Sequence, residues 1–352
     1  MNRINILVSG AGAPGIVGTI YSLRNNSDNR PVKIFTTDIK NEVVGKYLSD
    51  EFFVIPRALE EEKYLQVVLD ICKKKNIDVF IPQNTSELLI LSKEIKLFEK
   101  IGSKIIISDY PQMIVANDKS YLLKKCCHLG IPYPEFYLVD NFYDLTKAAE
   151  LLGYPNRPTL VKPPNSNGSR GIRIIDENRN YNQLFYNEKP TSLFVKLKHL
   201  YDLIGEKFNP LLVMEFLPGE EITIDVFRDQ NVFVSIPRKR EEVKSGISFI
   251  NSAYKSDELI EYSKILSDKL DLKYCFGYQF KINCNGIPKI IECNPRVQGT
   301  MIYSTFMGFN MIYASVKSAL GEKIADFVLD WETKLLRYWG ALGINQNGVY
   351  KI

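Results

Sequence analysis

The chain has 352 residues, 45% hydrophobic and 24% charged, with a formal net charge of +4. That length exceeds one ordinary core, so two or three domains are expected; a charge this small, without a basic stripe, argues against a nucleic-acid partner. No apolar run reaches the roughly 18 residues of a membrane span, and the chain opens on a strand-like stretch without signal character, so a cytoplasmic protein with no membrane partner is expected.

The first third alternates apolar runs with helical spacing. Ile4–Ser9 is an apolar run followed by a glycine-rich turn and a helical stretch to about residue 25. Strands are expected at 32–36, 50–55, 79–82 and 104–108, with helices over 61–75 and 86–101. Strands alternating with helices imply a parallel sheet covered on both faces. From about residue 118 the grammar changes. A helix over Lys119–Leu129 stops at Gly130, with Pro132 and Pro134 behind it. Hairpin-like strands follow at Thr159–Lys162, 171–175, 211–216, Glu221–Arg228, 232–237, 276–283 and 288–293, with helices over 142–152 and Asp257–Leu270. This is α+β with antiparallel sheets. The expected domains are 1–115, 116–210 and 211–352.

The six cysteines form no C-x-x-C pair and read as reduced, mostly buried thiols. With only His128 and His199, a histidine-ligated zinc site is excluded.

Four segments carry chemistry. INILVSGAGAPGIVG (4–18) is a strand, a glycine turn and a helix start, where free amides attract anions. Gly10, Gly12 and Gly15 fit a dinucleotide spacing, yet Asp38 is the only tempting partner for a ribose, so a packing device or another anion site is the stronger reading. LVKPPNSNGSRGI (160–172) brings Lys162 to a strand end, then a loop of small polar residues able to close over phosphates; the alternative is a long hairpin loop with a surface lysine. In VMEFLPGEEITIDVF (213–227) Pro218-Gly219 turns the chain, and period-2 alternation puts Glu221, Thr223 and Asp225 on one face. The turn at Phe216-Leu217 can sandwich a purine. GYQFKINCNGIPKIIECNPRVQGT (277–300) reads as a hairpin turning at Asn285-Gly286. That register sets Gln279 across from Glu292, with Cβ atoms about 4.5–5.5 Å apart, and Asn294 on the same face. Such an oxygen cluster suits Mg²⁺ bound mainly through substrate phosphates, with Arg296 close by for phosphate. A polar sheet edge is the alternative.

These segments, in this order, resemble the ATP-grasp superfamily, in particular its carbamoyl-phosphate-synthetase-like branch, from about residue 4 to 320. NDKSYLLKKCCHLGIPYP (117–134) looks like that family's entry helix, and IPRKREEVKSG (236–246) like its basic strand. The resemblance implies an N-terminal α/β domain of the pre-ATP-grasp type and an α+β ATP-grasp fold with antiparallel sheets. It implies ATP and Mg²⁺, with Mn²⁺ as a substitute. Lys119 and Lys162 become phosphate lysines, with Ser169 and Gly171 in the loop that closes over them. Glu215, Phe216 and Leu217 become the adenine hinge and Glu221 the ribose ligand; Gln279, Glu292 and Asn294 become the metal ligands. Arg296 and Arg238, with Lys162, become the groups that meet the developing charge. The activity implied is a carboxylate–amine ligase working through an acyl-phosphate on small-molecule substrates, and many such relatives dimerise. The run Val297-Gln298-Gly299-Thr300 departs from the small or hydroxyl residues usual in that branch. No second ATP-grasp half or biotin-carrier motif is present, which argues against carbamoyl phosphate synthesis and biotin carboxylation themselves. A nucleotide-binding protein without ligase activity and a Rossmann-type oxidoreductase are the competing readings.

Overall fold

A computed structural model describes residues 2–351 except 167, 169, 189–192, 245 and 347. Contacts divide the chain into two compact units: residues 1–117, 221–279 and 293–352 form one, and 118–220 with 280–292 form the other.

The first unit opens with a five-stranded parallel sheet. Its strands are β1 (Ile4–Ser9), β2 (Val32–Asp38), β3 (Glu51–Val54), β4 (Val79–Ile81) and β5 (Lys104–Ile105), in the order β3-β2-β1-β4-β5. Six helices accompany them: α1 (Ile16–Arg24), α2 (Val44–Leu48), α3 (Glu61–Lys74), α4 (Thr85–Lys93), α5 (Ile95–Lys100) and α6 (Tyr110–Asn117). The central strands are apolar on both faces because both faces are covered: Ile6 and Val8 enter one core, Leu7 the other. The single helix expected over 86–101 is two helices, broken at Glu94. The break lets Leu91 and Phe98 both enter the core below.

The second unit contains α7 (Lys119–Leu129), β6 (Phe136–Asn141), α8 (Phe142–Leu151), β7 (Thr159–Lys162), β8 (Arg173–Ile175), α9 (Tyr181–Asn187), β9 (Phe194–Val195), α10 (Leu197–Ile204) and β10 (Lys207–Glu215). Its sheet runs β6-β10-β7-β8-β9. The Asp118 carboxylate accepts the Ser120 and Tyr121 amides and so starts α7; Gly130, at φ +70°, ends it. Val161 and Val213 pack with Leu145, Ala149 and Leu200 on one face of this sheet.

The rest of the chain supplies β11 (Glu221–Arg228), β12 (Phe233–Lys244), β13 (Ile247–Ala253), α11 (Asp257–Leu270), β14 (Tyr274–Ile282), β15 (Pro288–Asn294), α12 (Ile302–Phe306), α13 (Met311–Ala319), β16 (Lys334–Leu336), β17 (Leu342–Asn345) and β18 (Gly348–Lys351). A sheet of order β15-β14-β11-β12-β13-β16 forms, with β17 and β18 as a separate hairpin. A parallel-sheet domain followed by antiparallel sheets is the architecture expected from the sequence, and the structure has it save that β8 and β9 pair in parallel. Among the described residues, no helix is long and apolar enough to cross a membrane.

Candidate active site

The second unit concentrates charge on one strand. Capping by Asp118 fixes the first turn of α7 and thereby Lys119, which is 8% exposed. Its Nζ donates to the Ser166 carbonyl at 2.5 Å and lies 3.6 Å from Glu292 Oε2. Lys162, the last residue of β7, is 6% exposed, and its Nζ donates to the Ile291 carbonyl at 3.4 Å. Two buried ammonium groups from separate elements therefore meet consecutive residues of β15, one of them the carboxylate expected to hold metal.

Register decides what surrounds them. Leu212 pairs with Lys162 and Met214 with Leu160, so these four side chains share a face opposite the Val161 and Val213 core. That face carries a lysine beside apolar side chains, the chemistry a nucleotide needs for phosphate and base. Glu215 pairs with Thr159 and falls on the other face. Its carboxylate accepts Lys289 Nζ at 2.5 Å and the Glu135 amide at 3.3 Å. Any contact of Glu215 with a ligand on the Lys162 face thus falls to its backbone. Phe216 lies under Lys281 Nζ at 5.7 Å, and Leu217 is buried. Gly219 packs so closely on Ile282 that a Cβ would lie 2.7 Å from its carbonyl oxygen. Gly171 sits at φ +73°, where a Cβ would meet the Pro163 ring at 2.8 Å, so this end of the loop requires glycine. Ser169 lies outside the described residues.

The hairpin between β14 and β15 differs from the two-residue turn expected. Gly286 donates to the Asn283 carbonyl at 3.2 Å and Asn283 to the Ile287 carbonyl at 2.9 Å, with Gly286 at φ +78°. This is a three-residue loop closed by a left-handed glycine. Pairing counted from it sets Phe280 across from Ile290, both buried. Alternation then slips at Ile291 and Glu292, which are half-buried in succession. The register expected from a turn at Asn285-Gly286 therefore does not hold near the loop. Gln279 stands on β14, and Glu292 and Asn294 on β15.

In the first unit the basic strand is β12. Arg238, expected at a phosphate, is 1% exposed: its Nε and Nη2 donate to Asp225 at 2.9 and 3.4 Å, and its Nη1 to Asn251 Oδ1 at 2.5 Å. Burial pushes the Asp225 carboxyl up against the pull of this guanidinium. Glu221, expected at a ribose, is ion-paired with Arg240. Arg296 donates from Nε to Thr85 Oγ1 and from Nη2 to Asn294 Oδ1, each at 3.2 Å.

The glycine turn after β1 is anchored from behind. Asp38 Oδ2 accepts the Gly12 amide at 2.8 Å, and its Oδ1 accepts that of Lys40. The only tempting ribose carboxylate is thus a tether of the loop itself. Beneath it Glu87, fully buried, accepts from the Tyr64 hydroxyl, Ser9 and the Gln83 and Asn84 amides. Burial pushes its carboxyl up despite those four donors. Sequence reading missed this network, although Asn84-x-x-Glu87 is a capping-box spacing.

Among the described residues, no three His, Cys, Asp or Glu side chains cluster as a metal site. A cation at Glu292 would take its other ligands from amide oxygens and phosphates, which suits Mg²⁺.

Residues 6–106 match the family model described as PylC-like, N-terminal domain, and residues 207–336 match the one described as ATP-grasp in the biosynthetic pathway with Ter operon. The chain carries an ATP-grasp domain and a PylC-like N-terminal domain. It is 23% identical over 291 residues to the carbamoyl phosphate synthase arginine-specific large chain of Bacillus subtilis, covering 79% of this chain and 26% of that one. It is 25% identical over 284 residues to the corresponding large chain of Pyrococcus furiosus, covering 78% and 25%. The chain thus spans about a quarter of the length of these curated relatives. Among solved structures it resembles the N5-carboxyaminoimidazole synthetase of Staphylococcus aureus complexed with ADP, with TM-score 0.67, 18% identity and coverage of 93% and 80%. It also resembles a biotin carboxylase–ATP complex from Campylobacter jejuni, with TM-score 0.68, 15% identity and coverage of 92% and 73%.

Proposed function

We propose that this protein is an ATP-dependent ligase that activates a small-molecule carboxylate as an acyl-phosphate and passes the acyl group to an amine. The observation that carries this reading is the meeting of Lys119 and Lys162 with the Ile291–Glu292 stretch of β15. Phosphates call for cationic donors held in place, and a bridging metal calls for a carboxylate beside them.

In this mechanism the Leu160, Leu212 and Met214 face receives the base, and the backbone of residues 215–217 binds its edge. Lys119 and Lys162 hold the phosphates. A substrate carboxylate oxygen attacks the γ-phosphorus as the bond to the β–γ bridging oxygen breaks, and ADP leaves. The amine then attacks the acyl carbon, inorganic phosphate departs with the former carboxylate oxygen, and the nitrogen gives its proton to solvent. Catalysis is mainly positioning and charge neutralisation. Mg²⁺, held by Glu292 with Gln279 and Asn294, would supply neutralising charge to the phosphates. Arg296 leaves Asn294 to meet the transferring phosphoryl group, whereas Arg238, buried and paired with Asp225, has no part in it.

A screen of phosphate release with ATP, Mg²⁺ and a panel of carboxylate and amine pairs tests this. Turnover should appear with one pair and vanish in Lys162→Ala and Glu292→Ala; full turnover in both variants sinks the assignment. Bicarbonate belongs in the panel, because two of the matching structures are named for carboxylating enzymes. A Rossmann-type oxidoreductase is disfavoured by Asp38, whose carboxylate holds Gly12. ATP affinity without phosphate release under every mixture would favour a non-catalytic nucleotide binder.

A further inference from the structure

Strand β15 carries a lysine that the phosphate and metal assignments leave unused. Lys289 stands near its start, where the Ile290 amide donates to the Pro132 carbonyl at 3.0 Å and so ties the strand to the segment that follows α7. From there Lys289 Nζ reaches Glu215 Oε2 at 2.5 Å, with the two side chains 18% and 26% exposed. The surface pair Arg24–Asp50, at 42% and 40%, is far more open to water. Solvent and salt therefore screen the Lys289–Glu215 attraction less.

The same carboxylate changes how β10 ends. Val213 pairs with Tyr137 and Met214 with Phe136, so Glu135 stands opposite Glu215. Glu215 turns its peptide groups toward that side, since its amide donates to the Glu135 carbonyl at 2.9 Å. In an antiparallel ladder the facing amide returns such a bond to the carbonyl. Here the Glu135 amide donates instead to Glu215 Oε2, at 3.3 Å. The Glu215 carbonyl is left without its ladder donor at the last residue of β10.

Charge, and not packing, keeps the carboxylate there. Glu215, Lys289, Glu135 and Tyr133 line a cavity of about 580 Å³, so the Glu215 side chain has room to leave. The Glu135 carboxylate is engaged separately, by the Tyr137 hydroxyl at 2.8 Å. Lys289 is thus the counter-ion that fixes Glu215 against the Glu135 amide.

An open carbonyl calls for an N–H donor. Adenine carries a 6-amino group on its edge, whereas a 6-oxo purine presents an oxygen that a carbonyl repels. A site built to accept one hydrogen bond rejects the analogue that lacks the donor, because its own polar group then stays unpaired.

We propose that Lys289 is a positioning residue that sets the purine selectivity of this protein: it keeps the Glu215 carboxylate on the Glu135 amide and so keeps the Glu215 carbonyl free for a 6-amino group. The proposal rests on the nucleotide site of the ligase reading, and its test measures base discrimination instead of turnover. Calorimetry on the full-length protein compares MgADP with MgIDP, whose purine has a 6-oxo group in place of the amine. Wild type should bind MgADP at least about tenfold more tightly than MgIDP. Lys289→Met keeps the stem and removes the charge; the Glu135 amide then returns to the Glu215 carbonyl. MgADP affinity should fall at least about fivefold, while MgIDP affinity changes by less than about twofold. Lys289→Arg should retain most of the discrimination. Glu215→Ala should lose it, and adding Lys289→Met to Glu215→Ala should cost nothing further. A merely structural defect would weaken both nucleotides together. Equal wild-type affinities, equal losses for the two nucleotides in Lys289→Met, or Lys289→Arg no better than Lys289→Met overturns the proposal. If Lys289→Met does not fold, Glu215→Ala carries the same prediction. Wild-type protein that binds neither nucleotide defeats the ligase assignment, whereas binding without a preference for the 6-amino base defeats only this one.

Discussion

Replacing Arg238 by methionine should be among the most damaging single changes in the first unit. The variant removes both hydrogen bonds to Asp225, which is 0% exposed, and the donor to Asn251 Oδ1. An uncompensated buried carboxylate then remains, at a cost of about 3–5 kcal/mol. Asp225→Leu with Arg238→Met removes both charges and should recover most of that loss, to within about 2 kcal/mol of wild type. The sign with pH follows from burial. The Asp225 carboxyl already lies above its ordinary 3.8 in the native protein, and losing Arg238 raises it further. The native variant therefore holds its proton more tightly than the unfolded chain does. Its penalty is small near that ordinary value and grows as pH rises toward neutrality. Urea unfolding followed by tryptophan fluorescence at pH 5 and pH 7.5 reads this, since Trp331 packs against the core of the same unit. A single-variant loss below about 1 kcal/mol, or a gap from wild type that widens on acidification, refutes the reasoning.

Three further outcomes are expected. Lys119→Ala and Lys162→Ala should each weaken ADP binding roughly ten- to hundredfold by calorimetry, with circular dichroism unchanged; unaltered affinity would remove both from the phosphate site. Glu87 is raised by burial, so its contribution to stability is present below the ordinary value of 4.5 and is lost as pH rises above it. Glu87→Gln should flatten that slope in denaturant titrations, and identical slopes would show that the carboxyl does not titrate there. Of the six thiols, the exposed Cys127 and Cys284 should react quickly with a disulfide reagent at pH 8, while Cys72, Cys126 and Cys275, pushed by burial up to about 12, stay silent until unfolding. Rapid labelling of Cys275 in the native protein would contradict the packing around β14.

Much of the architecture was legible along the chain because its signals are local. The parallel strands announced themselves as apolar runs, α7 by Asp118 and Gly130 at its ends, and α11 by helical spacing over the span observed, Asp257–Leu270. Short-range steric and hydrogen-bonding preferences decide such features, and a few neighbouring residues express them. Lys162 at the end of β7 was readable for the same reason.

Pairing and burial were not readable, because they depend on residues far apart in the chain. Alternation put Asp225 and Glu221 on one face, but only packing made the first a fully buried partner of Arg238 and gave the second to Arg240. Register against β7 turned the Glu215 carboxylate away from Lys162. The loop at Cys284–Gly286 gained a residue over the turn its Asn-Gly pair suggested, and so moved the nearby register by one. Lys289 carried no motif; it acquires interest because the fold brings Glu215, 74 residues away in the chain, under its ammonium group. Local propensity writes the elements, whereas the desolvation and partnering of charge exist only once distant segments have met.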